Sequence, residues 1–218
     1  MTATDLTSAR TGLVAAYRRL AGEGLLPLSA GNLSVRAGDM MVVTPTGADA
    51  SVREEELVPM TMAGDVDGPG VPTSEWAMHA AIYAARPDIA AIVHTHSDAC
   101  TALSCLRRPL PAFHYMVALF GGEDVPCTPY AHFGSPELGR LAAEALRERT
   151  ACLLANHGMI CCGPTLAAAT KGALTLEMLA RQYILACQAG DPVLLGPDEM
   201  AEAKRRFGYY GRSRIPNA

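Results

Sequence analysis

The chain has 218 residues, half of them apolar and 18% charged, with a net charge of −4; this length suits one domain over 1–218, able to bury roughly 70% of its unfolded surface without staples. The acidic balance, with Lys204-Arg205-Arg206 as its one basic cluster, argues against nucleic acid, and no run nears the ~18 apolar residues of a membrane helix or the pattern of a leader peptide. Seven scattered cysteines, an odd number, fit reduced thiols in a cytoplasm, and the low charge content hints at surface covered by further copies of the chain.

Residues 5–20 read as an amphipathic helix, with Leu6, Ala9, Leu13, Ala16, Tyr17 and Leu20 recurring at three and four and Gly22 and Gly24 closing it. A turn at 29–31 leads into an alternating segment to Arg36, and after Gly38-Asp39 the run Met40-Met41-Val42-Val43 completes a hairpin. Thr44-Pro45-Thr46-Gly47 is then a turn with two hydroxyls and a glycine whose backbone can approach a ligand. Residues 51–71 suggest a short helical turn, a strand and a loop.

Pro72-Thr73-Ser74-Glu75-Trp76 opens a helix to about Arg86, with Thr73 or Ser74 as N-cap, Glu75 in the first turn, and free N–H groups that suit an anion. His79, one turn after Glu75 on the same face, reads as structural. A buried strand follows over 89–95, then a helix over 98–106, a turn and extended piece over 109–115, and a break at Gly121-Gly122. A strand is expected over 125–130 and a helix capped by Ser135 with Pro136 at its first position. The strand 151–155 is followed by an extended 159–162, a long helix capped by Thr165 to about Gln188, a linker and a last helix over 198–207. Alternating strands and helices make this an α/β or α+β chain with helices layered on a mixed sheet.

The chemistry gathers at Ile92-Val93-His94-Thr95-His96-Ser97. Side chains alternate along a strand, so His94 and His96 face the same way where it surfaces, as a pair of metal ligands would. An open catalytic site takes three protein ligands and keeps a place for substrate. Asn156-His157-Gly158, after another apolar run, offers the third, and Glu75 is a fourth group on the helix that leads into the His94 strand.

Gly31-Asn32-x-Ser34-Val35-Arg36, Thr44-Pro45-Thr46-Gly47, Pro72-Thr73-Ser74-Glu75-Trp76, His94-Thr95-His96-Ser97, Leu110-Pro111-Ala112-Phe113-His114-Tyr115-Met116 and Asn156-His157-Gly158 together resemble the class II, zinc-dependent aldolase family of sugar phosphates, closest to its branch acting on L-fuculose 1-phosphate. The resemblance spans nearly the whole chain. It implies a three-layer αβα fold with a central mixed, mostly antiparallel sheet, and a homotetramer with active sites near subunit boundaries. The implied reaction is reversible cleavage of a ketose 1-phosphate to dihydroxyacetone phosphate and a short aldehyde.

On that resemblance His94, His96 and His157 hold Zn2+, with Mn2+, Co2+ or Fe2+ compatible with the same donors, and Glu75 is the fourth ligand of the empty enzyme. Once displaced, Glu75 moves a proton on and off the dihydroxyacetone carbon. Gly31, Asn32, Thr46, Gly47, Thr73 and Ser74 bind the phosphate through backbone N–H groups, hydroxyls and the helix N-terminus. Tyr115 acts as acid-base group from a neighbouring subunit, Tyr210 as a C-terminal tyrosine near the aldehyde, and Phe133 and Phe207 line the aldehyde pocket. His132 and Ala155-Asn156 depart from the branch pattern and leave the aldehyde open among L-fuculose, 5-deoxyribulose and 5-methylthioribulose 1-phosphates. Rivals on the same scaffold are a pentulose-5-phosphate 4-epimerase, a sugar-acid-phosphate decarboxylase and a non-catalytic interaction module.

Overall fold

The apolar runs expected to be strands all join one sheet in the computed structural model, which describes residues 3–209, while the extended piece over 109–115 adds only a bridge at Leu110. In chain order the elements are α1 (Ala3–Gly22), β1 (Gly31–Ala37), β2 (Met40–Val43), a 3-10 turn over Glu54–Glu56, β3 (Val58–Thr61), α2 (Trp76–Ala85), β4 (Ala91–Thr95) and α3 (Asp98–Ser104). A 3-10 segment over Tyr115–Phe120 follows, then β5 (Cys127–Thr128), α4 (Pro136–Ala145), β6 (Ala151–Leu154), β7 (Gly158–Gly163), α5 (Leu166–Ala189) and α6 (Pro197–Phe207). The strand order is β3-β2-β1-β4-β7-β6-β5. All neighbours are antiparallel except β5 and β6, which run parallel.

β4 occupies the middle of the sheet, and alternation along it and its neighbours sorts two cores onto opposite faces. Val93, Leu33, Val35, Met159 and Cys161 pack with α1, α3, α5 and α6. Ile92, Met41, Val43, Leu154 and Ile160 pack with α2 and α4. The result is three layers, αβα, with both sheet faces dry, which is why these strands read as continuous apolar runs.

Four departures from the expected elements have local causes. The strand expected over 125–130 shrinks to two residues because Pro126 and Pro129, lacking N–H groups, bracket it; Val125 instead exchanges two backbone hydrogen bonds of 2.9 Å with Leu110. The extended piece expected over 109–115 ends at His114, and a 3-10 segment for which no element was expected starts at Tyr115, because the His114 ring accepts the Met116 N–H and so begins a turn. The helix expected to 106 stops at Ser104, and Arg107 takes a left-handed φ of 52°. α2 begins at Trp76, so Glu75 rather than Thr73 or Ser74 holds the cap position. Its carboxylate makes no cap hydrogen bond and points elsewhere.

The N-terminus of α3, directly after the histidine strand, is capped from across the fold. The Ser97 carbonyl accepts from Thr101 at 2.9 Å, but its side chain makes no cap hydrogen bond; the buried Glu177 of α5 instead accepts from the N–H groups of Ala99 (2.9 Å) and Cys100 (3.0 Å). One carboxylate thus satisfies two free helix donors at the positive end of the helix dipole. Glu177→Gln replaces one accepting oxygen by an NH2 that faces an N–H group, and the expected cost is about 2 kcal/mol of unfolding free energy by urea titration.

Candidate active site

Backbone packing brings the three histidines together. His94 lies opposite Asn32 of β1 and Ile160 of β7, on the α2 side of the sheet with Ile92. His157 arrives on the turn between β6 and β7, where Asn156 has a left-handed φ of 54° and donates its N–H to the Ser104 carbonyl at 3.1 Å. The His157 N–H in turn donates to Ser104 Oγ at 3.2 Å, so the end of α3 fixes this ligand. The strands close on β4 from both sides through glycine. A Cβ at Gly31 would lie 2.7 Å from the His94 carbonyl oxygen, and one at Gly158 would collide with the Thr95 carbonyl.

One donor atom from each of Glu75, His94, His96 and His157 lies within 4.8 Å of the others. His94 Nε2 stands 3.0 Å from both His96 Nε2 and Glu75 Oε2, and His157 Nε2 stands 3.4 Å from Glu75 Oε1. Ligands about 2.1 Å from a tetrahedral zinc stand about 3.4 Å apart, so this spacing already suits one ion. The chemistry of the donors agrees. His94 Nδ1 donates to the Met159 carbonyl at 2.9 Å, which turns Nε2 inward as the ligand atom. Glu75 Oε1 is buried with no hydrogen-bond partner, an orphan that a cation would satisfy.

The electrostatics are those of a carboxylate among imidazoles. Burial raises the Glu75 carboxyl, but His94 and His157 and the Asn32 amide more than reverse this and hold it well below the usual carboxylate range. Burial lowers His94, yet facing Glu75 leaves it raised overall. His96 and His157 are each pushed down to about 4, first by burial and then by His94 nearby, so both are neutral at pH 7, as metal ligation requires.

Behind the carboxylate stands a wholly buried polar row. Asn32 Nδ2 donates to Glu75 Oε2 at 3.0 Å, and Asn32 Oδ1 meets His79 Nε2 at 2.6 Å. His79 Nδ1 meets Ser34 Oγ at 2.7 Å, and Ser34 Oγ meets Tyr83 Oη at 2.8 Å. The resemblance assigns Asn32 to the phosphate and gives Ser34 and Tyr83 no role. The available signal was spacing: Asn32 and Ser34 share one strand face, and Glu75, His79 and Tyr83 recur every fourth residue along α2 and its cap.

A cavity of about 180 Å³ opens in front of the cluster, lined by Gly31, Asn32, Thr46, Gly47, Thr73, Ser74 and Phe133 together with Glu75, His96 and His157. Ser29, Ala30 and Pro45 also line it. Two backbone N–H groups here are spent elsewhere: that of Thr46 on the Val71 carbonyl and that of Thr73 on the Thr44 carbonyl; the Thr73 hydroxyl accepts the Glu75 N–H at 3.3 Å and keeps its own proton to donate. Tyr115 and Phe207 are not in this cavity. They stack on each other, ring centroids 5.8 Å apart, beside a separate groove with Lys171, Glu202 and Arg206. Tyr210 falls outside the described residues.

The chain is similar to known proteins over most of its length. Residues 11–184 match the family described as the class II aldolase and adducin N-terminal domain. The chain is 48% identical over 210 residues to a 5-methylthioribulose-1-phosphate/5-deoxyribulose-1-phosphate aldolase of Rhodospirillum rubrum, covering 95% of each protein. It is 43% identical over 190 residues to an L-fuculose phosphate aldolase of Escherichia coli O6:H1, covering 86% of this chain and 88% of that one. The solved structure of an L-fuculose 1-phosphate aldolase superposes with a TM-score of 0.89 at 38% identity over 93% of this chain and 97% of that chain.

Two measurements check the site. Elemental analysis should find one divalent ion per chain, falling at least about tenfold in His96→Ala and His157→Ala, since two nitrogen ligands hold such an ion far less tightly than three. Burial pushes His79 down to about 3, whereas an unfolded histidine titrates near 6.5, so below about pH 6.5 the unfolded chain takes up a proton that the folded one refuses. Stability from this ring is therefore complete above pH 6.5 and lost as pH falls. His79→Gln should remove about 2 kcal/mol from the difference in urea-unfolding free energy between pH 7.5 and pH 5.

Proposed function

Because the chain belongs to the class II aldolase and adducin family, we propose that it is a metal-dependent lyase that reversibly cleaves a ketose 1-phosphate to dihydroxyacetone phosphate and a short aldehyde. The observation that carries the reading is the cluster itself: three imidazoles and a buried carboxylate with one unpartnered oxygen, at the wall of a cavity floored by a helix N-terminus. The relatives named for 5-methylthioribulose and 5-deoxyribulose 1-phosphates and for L-fuculose phosphate support the substrate class. The more extensive match to the former supports acetaldehyde or methylthioacetaldehyde as the released aldehyde, with lactaldehyde from L-fuculose 1-phosphate as the other product of the same site.

His94, His96 and His157 would hold the ion, and zinc suits three nitrogen donors with an open position. Bound there, it supplies positive charge that offsets the negative charge developing on the dihydroxyacetone half as the carbon–carbon bond breaks. The substrate phosphate takes hydroxyls from Thr46, Thr73 and Ser74 and the close backbone at Gly31 and Gly47, with the N-terminal dipole of α2 behind it. Glu75, held through Oε2 by Asn32, moves a proton at Oε1 to and from the dihydroxyacetone carbon. An oxygen without a hydrogen-bond partner is the one poised for this.

The remaining roles need a neighbour. Tyr115 and Phe207 lie together on the outer surface of the chain, half exposed or partly buried. We read them, with Tyr210, as groups offered to the cavity of an adjacent copy in a homotetramer, Tyr115 as acid-base group at the departing hydroxyl and Phe207 against the aldehyde, where Phe133, 74% exposed, waits on the chain's own side. Among the described residues no helix is long and apolar enough to cross a membrane, and the reading is of a cytoplasmic enzyme with the whole chain as one domain.

The deciding assay couples dihydroxyacetone phosphate release to its reduction, with fuculose, rhamnulose, 5-deoxyribulose and 5-methylthioribulose 1-phosphates as the panel. Release should occur from the 5-deoxyribulose and 5-methylthioribulose compounds, vanish with chelator and return with zinc. Glu75→Gln should lower kcat by about 10²-fold or more, the usual range for a lost general base. Interconversion of pentulose 5-phosphates without release would overturn the reading.

A further inference from the structure

The buried row behind Glu75 has one consistent direction, and it can be worked out from the chemistry of its ends. A carboxylate only accepts, so the Asn32 nitrogen is the group facing Glu75 Oε2 at 3.0 Å, and its oxygen faces His79. An amide oxygen only accepts, so His79 Nε2, 2.6 Å away, carries the proton. A neutral ring protonated at Nε2 has a bare Nδ1, which accepts from Ser34 Oγ at 2.7 Å, and Ser34 Oγ then accepts from Tyr83 Oη at 2.8 Å. Every donor points toward Glu75.

We propose that His79 is a positioning residue for the reaction: by donating from Nε2 it locks the Asn32 amide, and through it decides which oxygen of Glu75 is free to take and give the proton. The inference rests on the proton-transfer reading of Glu75 given above. If Asn32 flipped, its oxygen would face the carboxylate and its NH2 would face the His79 N–H, two repulsive contacts at once, in a region where Asn32, Ser34, His79 and Tyr83 are all 5% exposed or less. The lock therefore leaves Oε2 bonded and Oε1 without a partner. It also tolerates both states of the acid: when Oε1 carries the proton, Oε2 still accepts from Asn32, and no group behind it has to turn. The row does not conduct protons, because an amide in the middle accepts at one atom and donates from another without passing a proton between them.

A core histidine that merely fills space would hold its neighbours in place without a preferred tautomer and without acting through Glu75, and three readouts separate the two. Neutron diffraction from the deuterated, metal-loaded protein should show deuterium on His79 Nε2 and none on Nδ1, with the deuterated Asn32 Nδ2 toward Glu75; the opposite tautomer or amide would overturn the proposal without any assay of turnover. In kinetics, His79→Phe should lower kcat by about 10-fold to 100-fold with KM within about 3-fold, and His79→Gln, which keeps an N–H within reach of Asn32, should recover most of it. An unchanged kcat in His79→Phe, or equal losses in both variants, would overturn it. If His79 acts through Glu75, then Glu75→Gln with His79→Phe should be within about 2-fold of Glu75→Gln alone, whereas multiplying losses would show an independent effect and sink the idea. Should His79→Phe not fold, Tyr83→Phe and Ser34→Ala, each removing one hydroxyl, carry the same test, with a kcat loss of a few-fold expected and none overturning it. Wild-type turnover by Glu75→Gln would refute the proton-transfer reading and, with it, the role given to His79, while a fall there beside an unmoved His79→Phe would refute the positioning role alone.

Discussion

A negative charge buried beside three imidazoles is the constraint on which the rest of this structure depends. Glu75 is 5% exposed, and a carboxylate cannot be placed in such surroundings unless opposite charge and hydrogen bonds repay the lost water. His94 and Asn32 do so from two adjacent strands, and His157 does so from the turn that leads into β7. None of these groups could reach Glu75 if β1, β4 and β7 were not neighbours in that order. The central strand is thus chosen by the chemistry as much as by its apolar content. Its flanking helices follow suit: α2 carries the acid at its cap, and α3 holds the turn that carries His157 while being capped itself by Glu177.

The sequence shows the ligands more clearly than their support. His94 and His96 were legible because strand alternation alone puts them on one side, and His157 because another apolar run ends beside it. Glu75 was legible as an acid at a helix start, but its position as the cap residue was not, since Thr73 and Ser74 are stronger cap formers. The roles of Ser34, His79 and Tyr83 depend on β1 lying across α2, a long-range fact that no local pattern holds. The same is true of Glu177, which meets α3 from a helix far along the chain. The strand at Cys127–Thr128 is shorter than its apolar surroundings suggest because Pro126 and Pro129 at its ends have no N–H to pair. Resemblance alone points to six positions for a phosphate, and all six line one cavity. It could not say that Tyr115 and Phe207 stand apart from that cavity, because their placement involves the outer surface of the chain.

The alliance of β1 with α2 also has a geometric basis. Alternate residues of a strand advance by about 6.8 Å, and every fourth residue of a helix by about 6 Å. Asn32, Ser34 and Arg36 therefore keep step with Glu75, His79 and Tyr83 over two helical turns. Asn32 bonds Glu75 and His79, and Ser34 bonds His79 and Tyr83. Arg36 lies over the Tyr83 ring and donates to the carbonyls of Tyr83 and Arg86 at the helix end. One end of this ladder is at the buried carboxylate of Glu75 and the other at the part-buried Arg36, so slipping the strand by one residue would exchange its polar side chains for Leu33 and Val35.

The glycines beside β4 divide the molecule into a part that is intolerant of revision and a part that is open to it. Where Gly31 and Gly158 press on the carbonyls of His94 and Thr95, main chain touches main chain, and the spacing between ligands owes nothing to the size of any side chain there. Tyr130, His132 and Phe133, by contrast, stand exposed on the loop before α4. Substitutions at these three positions therefore leave the spacing of the four donor atoms untouched, since none of the three is hydrogen-bonded to Glu75, His94, His96 or His157.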